Sequence, residues 1–460
     1  LSTAKISSVL IQNFAVRQPL YQRIPFFAEI AFCVIIYCAT TLTTGEMFHL
    51  VCFFASFNTQ LTGGRTRMLG LLSGARILDL SHMLAGPFGT MMMGDLGAEI
   101  IKIEPPEGDP MRRMGPHFLT TESAYFISAN RSKKSMTLNL QTERGRAIFY
   151  DLVKISDVVY DNFRPGITQK LGIDYETLKR INPRIIACSI SGFGQTGPYR
   201  DRPAFDIAIQ GLSGAMSITG TGEQPSRMGI AMGDLAGGMY AAFAVAAALY
   251  HREKTGAGCF IDLGLLDCLT SLLTYVAQYF FHDGVNPGPQ GTEHMSVVPY
   301  QSFQTKDGHL VVAAFTEKFW QGLCRALDLP HLIDDPRFAT NDDRRVNKAQ
   351  LVPILAEAFR TRTTDEWQKR LDAESVPWGP INKIDRVVSD PQIRARRMVI
   401  ELDHPTIGKL PMLGNPVKVQ GMDEPRIPPP LRGQHTEQIL SELLGYSSEQ
   451  IAALKKEQVI

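Results

Sequence analysis

A chain of 460 residues is too long for one small core, so a large body with a second domain or lobe attached is expected. Charged residues make up 20% and the formal net charge is +1, which leaves no strong field to draw nucleic acid or an anionic membrane; small molecules and a second copy of the chain are the expected partners. Seven scattered cysteines without a CxxC pair argue against a structural zinc site and a disulfide framework, and read as free thiols in a reducing compartment.

Residues 1–67 differ from the rest. From Leu1 to Ala28 the only charges are Lys5, Arg17 and Arg23, a composition like that of a mitochondrial presequence. The apolar runs Ile30–Ala39 and Leu50–Phe57 both fall short of the roughly 18 to 20 residues that span a bilayer. A targeting segment for the mitochondrial matrix, a weak anchor or signal-type segment, and translated sequence upstream of a start near Met68 are the readings of this stretch. The fold argument begins at residue 68.

From Gly74 onward short apolar strands alternate with helix-length segments. Ala75–Leu80, Ala98–Glu104, Ser135–Leu140, Asp157–Tyr160 and Arg184–Ser191 read as buried strands, with a helix over Thr142–Ile155, so an α/β body with a largely parallel sheet is expected. Two long helices follow, Leu235–Arg252 and Leu265–Phe281. The Gly/Pro-rich stretch Gly284–Gly291 reads as a linker. After it come strands at Ser302–Thr305 and His309–Ala314 and helices near Phe319–Leu327, Lys348–Arg360 and Thr364–Glu374, the pattern of a small α+β domain. The turn-rich joint Val376-Pro377-Trp378-Gly379-Pro380 ends it. The expected divisions are 1–67, 68–283, 284–375 and 376–460. No GxGxxG follows a strand, and no Walker loop, GxSxG elbow or HExxH is present, so the sheet announces neither a dinucleotide, a nucleoside triphosphate, a serine hydrolase nor a zinc protease.

The stretch LDLSHMLAGPFGTMMMGDLGAEIIKIEPPEGDP (Leu78–Pro110) resembles the amino-terminal signature of the family III coenzyme A transferases, which include the α-methylacyl-CoA racemases. The resemblance continues through NRSKKSMTLNL, DNFRPG, SGFGQTGPY, MGDLAGGMYAA, VPYQSFQTKDG, VPWGPIN and LRGQHTEQIL, and so covers nearly everything after Gly74. It implies a large Rossmann-like α/β domain built from the amino- and carboxy-terminal parts, a smaller α+β domain from the middle, and an interlocked homodimer. It also implies a CoA thioester as substrate, with no permanently bound cofactor and no metal.

In such transferases the catalytic Asp sits in a Gly-Asp pair opening a long helix, here Gly233-Asp234. By residue type alone Asp234 reads as the N-cap of the Ala-rich helix. The two readings are compatible, since exposed N–H groups and the positive dipole end favour an ionised carboxylate. The implied chemistry is attack of Asp234 on the donor thioester, then transfer of CoA to the aspartyl carbonyl, with backbone N–H donors facing each oxyanion. Gly237 and Gly238 serve either close substrate approach or tight helix packing.

CoA contacts carry over where motifs match: Asn162 and Phe163 in DNFRPG with Arg164 after them, Lys170 where relatives carry Arg, and Ala85 in the loop after the first strand. An aromatic ring suits an adenine, and an Asn the ribose or phosphate region; the alternative for Asn162 is closing a turn. Leu84 replaces a Gln of the formyl-CoA transferases and Pro105 an Arg, which weakens an oxalate assignment and leaves phosphate charge to Arg112, Lys133 or Lys134, each otherwise a solvated surface residue. The substrate loop holds Gly291, His294 and Ser296, and with VPWGPIN and HPTIGK it resembles the branch that exchanges CoA between succinyl-CoA and glutarate. A racemase needs a second acid/base group, and Phe205 stands where that His belongs. An inactive acyl-CoA-binding protein would dispense with the carboxylate, which Asp234 retains.

Overall fold

A computed structural model describes residues 70–422 and 427–460, so the expectations for residues 1–67 lie outside the described residues. Six parallel strands form the central sheet: β1 Arg76–Asp79, β2 Glu99–Glu104, β3 Lys133–Thr137, β4 Val158–Asp161, β5 Ile186–Ser191 and β6 Phe260–Gly264. Their spatial order is β3-β2-β1-β4-β5-β6, the doubly wound arrangement. The order reverses between β1 and β4, and there the loops leaving the carboxyl ends diverge and open a crevice. Near-continuous Ile and Val runs make these strands because both faces are covered.

One face packs on α1 (Ala85–Asp95), α4 (Met232–Thr255) and α5 (Leu265–Ser271), in a core of Ile77, Tyr160, Ile190, Ala241, Val245 and their neighbours. The other face packs on α2 (Glu143–Lys154), capped by the Thr142 hydroxyl, and on the end of the chain through Ile439, Leu440, Ile451 and Leu454. Between β5 and α4 lies the short helix α3 (Asp206–Leu212). The α/β architecture read from the strand alternation is the one observed.

Three details differ from expectation. β3 starts at Lys133, because Lys133 is a buried strand residue with a carboxylate partner and so does not look apolar. β6 escapes the pattern because it is an edge strand whose residues are mostly half-buried or exposed. The helix expected over Leu265–Phe281 is two, α5 and α6 (Thr274–Asp283): i−3 bonds from Leu272 and Leu273 end the first, and Thr274 takes a left-handed φ of 43°.

A separate core surrounds Trp320, Trp367, Phe303 and Phe359 under the antiparallel strands β7 (Tyr300–Gln304), β8 (His309–Ala313) and β9 (Trp378–Pro380). Arg344, fully buried there, is neutralised by Glu317 at 2.8 Å.

α1 and α4 cross in van der Waals contact because glycines meet at the crossing. A Cβ on Gly238 would lie 2.5 Å from the Ala85 carbonyl oxygen, and one on Gly89 2.6 Å from the Gly238 oxygen and the Tyr160 hydroxyl. A Cβ on Gly237 would lie 2.3 Å from a Leu265 methyl. Both glycines after Asp234 therefore serve packing. Backbone atoms cannot step aside, so Gly238→Ala is expected to cost about 1–3 kcal/mol in urea unfolding by forcing the helices apart. Wild-type stability of that variant would contradict this packing.

Candidate active site

The crevice at the switch point is an open cleft of ≈ 630 Å³. The loop after β1 brings His82 and Ala85 to it, the loop after β4 brings Asn162, Phe163 and Arg164, and the first turn of α4 brings Asp234. Five of the expected site residues thus share one cavity. Lys170, exposed near the end of a short helix, does not line it, nor do Gly291, His294 and Ser296. That loop is held elsewhere: Gly291 donates to the Gly220 carbonyl at 2.7 Å, His294 stacks between Tyr275 and Tyr300, and Ser296 bonds Tyr279.

A buried charge network fixes the first loop. Asp79 at the end of β1 accepts from the Ser81 N–H (3.0 Å) and hydroxyl, from Thr90 (2.7 Å) and from Lys133 (3.0 Å). Lys133 also donates to the Pro87 carbonyl at 2.9 Å, while Lys102 donates to the Ser81 carbonyl at 2.7 Å and pairs with Asp109. Burial alone would raise Asp79, but Lys133, Lys102 and the Ser81 and Thr90 hydrogen bonds outweigh it and bring it down to about 2. Lys133 is therefore a structural cation. Arg112 is likewise buried, between Glu104 and Glu122, and Lys134 pairs with Glu99. Arg112 and Lys133 are thus buried rather than solvated surface charges, while Lys134 stays partly exposed in its pair with Glu99.

Asn162 ties the loop after β4 to the loop after β1. Its side-chain oxygen accepts from the His82 N–H (2.9 Å) and its amide donates to the His82 carbonyl (2.7 Å), so it joins the two loops across the crevice. His82 then packs on Phe163 at 5.8 Å. Beyond that pair lies a second cavity of ≈ 280 Å³, walled by Leu80, Pro105, Leu138, Leu140 and Leu171.

Asp234 is the third residue of α4 and does not cap it. The cap comes from Asp206, whose Oδ1 accepts the N–H of Gly233 at 2.8 Å and, more weakly, that of Asp234 at 3.4 Å. The Met232 and Leu235 N–H groups donate to the Ile230 and Ala231 carbonyls. The first-turn donors expected to surround Asp234 are thus already used. The start of α1, whose Ala85 lines the cleft, keeps unused donors: among the described residues, neither the Ala85 nor the Gly86 N–H has an acceptor. The Asp234 carboxylate itself accepts no hydrogen bond from the described residues, and burial first, then the charge of Asp206, push it up to about 7. This corrects the expectation of a carboxylate held firmly ionised by its own helix.

Residues not anticipated as site residues complete the cleft. Tyr125 lines it, its phenol raised by burial and by the charges of Asp234 and Asp206. Arg200, Arg202 and Arg227 stand on the rim with Arg164, and Arg202 lies over the Tyr199 ring at 4.3 Å. Their sequence signal was slight: Arg200 and Arg202 directly follow SGFGQTGPY. Among the described residues no group of three or more His, Cys, Asp or Glu is placed to hold a metal ion.

The fold and cleft define a doubly wound α/β protein with the Asp234 carboxylate, the aromatic rings of Tyr125, Phe163 and Phe205 and an arginine-rich rim at its switch point. The model of CoA-transferase family III matches residues 72–436, and the chain belongs to that family. It is 43% identical over 393 residues to the human succinyl-CoA:glutarate CoA-transferase, covering 85% of this chain and 90% of that one. It is 40% identical to the acetyl-CoA:oxalate CoA-transferase of Acetobacter aceti, over 77% of this chain and 91% of that one. A crystal structure of a CAIB/BAIF family protein from Brucella suis superposes with a TM-score of 0.74 at 37% identity, covering 82% of this chain and 100% of that one. The protein is a CoA-transferase acting on CoA thioesters and carboxylic acids.

Proposed function

We propose that this enzyme moves CoA from succinyl-CoA to glutarate or a related dicarboxylate, with Asp234 carrying first the acyl group and then the thiol. The observation that supports this most is the Asp234 carboxylate itself, unbonded and facing a cleft shared with Ala85, Asn162 and Phe163. An Asp oxygen attacks the thioester carbon and the C–S bond breaks, leaving a mixed anhydride and CoA thiolate. The thiolate attacks the Asp234 carbonyl and expels succinate, giving an aspartyl-CoA thioester. The acceptor carboxylate attacks that thioester, and the released thiolate then takes the new acyl group, restoring the Asp234 carboxylate. An acyl bond is conserved throughout, so no nucleotide is consumed.

The free N–H groups of Ala85 and Gly86 suit an anionic part of the CoA or a developing oxyanion. The apolar cavity beside Phe163 suits the adenine, with Asn162 holding the loops that frame it. Arg164 and the other rim arginines suit the CoA phosphates and the free carboxylate of a dicarboxylic acid. Lys170 is part of the same proposal as an outlying cation, and Gly291, His294 and Ser296 as a loop toward the acid. Phe205 lines the cleft where inversion of an α-carbon would need a base, and its ring moves no proton. Homodimerisation belongs to the proposal too, supported by the exposed Phe243 and Tyr250 of α4 and Phe281 of α6, as does a matrix location, from the composition of residues 1–28.

A carboxylate nucleophile must be ionised, and Asp234 is raised to about 7. The kcat/KM for the donor is therefore expected to rise with pH through about 7 and to fall roughly tenfold per pH unit well below it. A flat profile from pH 5 to 8 would contradict this. The substrate assignment is tested with succinyl-CoA and a panel of acids: glutaryl-CoA and close dicarboxylyl homologues are expected products. Transfer to monocarboxylates alone would overturn the assignment.

A further inference from the structure

We propose that Asp206 and Gln210 are a positioning pair that takes over the capping of α4 and so leaves the Asp234 carboxylate free to face the thioester. The proposal rests on the reading of Asp234 as the nucleophile. An Asp in the first turn of a helix ordinarily turns back onto the exposed N–H groups there. Here Asp206 Oδ1 already accepts Gly233 N–H at 2.8 Å and Asp234 N–H at 3.4 Å. Gly233 permits this approach, since a Cβ there would lie 3.0 Å from that same oxygen.

Gln210 braces the arrangement from α3, one turn along. It is fully buried, with its amide nitrogen donating to Asp206 Oδ2 at 2.7 Å and to the Ile230 carbonyl at 3.3 Å. Its amide oxygen accepts the Met228 N–H at 2.8 Å. One side chain thus orients the cap and pins the segment leading into α4. A buried amide with this many partners is costly unless all are present.

Asp206 also acts on the acidity of the nucleophile. The charged or titratable groups lining the cleft around Asp234 are Tyr125, His82, Arg164, Arg200, Arg202 and Arg227, besides Asp206. Of these Asp206 is the charge that acts on Asp234, in the same direction as burial. A carboxylate that titrates near neutrality is more basic, hence a better nucleophile, than a solvated one.

Two variants of the whole chain separate the two effects, read by carbodiimide labelling of Asp234 across pH without substrate and by the rate of acyl-adduct formation with succinyl-CoA. Asp206→Asn keeps an acceptor for Gly233 but removes the charge, so the labelling midpoint should move down by about one pH unit. Gln210→Leu keeps the charge but removes the brace, so adduct formation should slow roughly tenfold to a hundredfold with the midpoint within a few tenths of wild type. A midpoint in Asp206→Asn that coincides with wild type, or a wild-type adduct rate in Gln210→Leu, would overturn the proposal. If the wild-type enzyme forms no adduct on Asp234, the nucleophile reading fails instead, and the labelling midpoints still judge the pair. Melting curves of both variants confirm that they are folded.

Discussion

Asp234→Asn is expected to lower CoA transfer by about four orders of magnitude or more, the scale seen when a covalent nucleophile is removed. The amide has the shape of the carboxylate but no charged oxygen to attack with, and no other carboxylate can substitute, since Asp206 is committed to the α4 N–H groups. Stability provides a control with the opposite sign. Asp234 rises from 3.8 to about 7 on folding, so its ionised form is disfavoured in the folded state. That penalty is fully present above about pH 7 and vanishes below about pH 4, where the group is protonated folded and unfolded alike. Asp234→Asn should therefore be more stable than wild type at pH 8, by roughly 2–4 kcal/mol after allowance for its partial exposure, and equal to it near pH 4. A variant that is inactive and also less stable at pH 8 would mean that Asp234 is structural.

Lys133→Met is expected to cost about 3–5 kcal/mol in urea unfolding, because it strands Asp79 as a buried anion. Both side chains are fully buried, and the lysine holds Asp79 at 3.0 Å and the Pro87 carbonyl at 2.9 Å. The damage should reach function as well, since these bonds shape the loop bearing His82 and Ala85. Adding Asp79→Asn removes the stranded charge and should recover a large part of the stability but not of the activity. If the single variant unfolds like wild type, the network is not what holds this loop.

These cases show what the linear sequence carries and what it does not. Ile- and Val-rich runs marked most strands of the sheet, because burial on both faces leaves that pattern. The edge strand β6 left none, and β3 was displaced because a lysine inside a sheet looks like a surface residue until its partner, 54 positions away, is known. Asp234 was legible as a helix-start carboxylate and, through family resemblance, as the proposed nucleophile. Its cap was not, since Asp206 lies 28 positions earlier and only tertiary packing brings it to the helix. The link that Asn162 makes between two loops was not legible, because its two bonds go to a residue 80 positions away. Arg227 gave no periodic or motif signal; the cleft alone groups it with Asp234.

The most direct measurement is to mix the enzyme with succinyl-CoA, quench with hydroxylamine or borohydride, and map the modified residue by mass spectrometry. A hydroxamate or reduced side chain at Asp234, absent without the thioester, is the predicted result. Continued turnover with Asp234 unmodified, or an adduct on another residue, would contradict it.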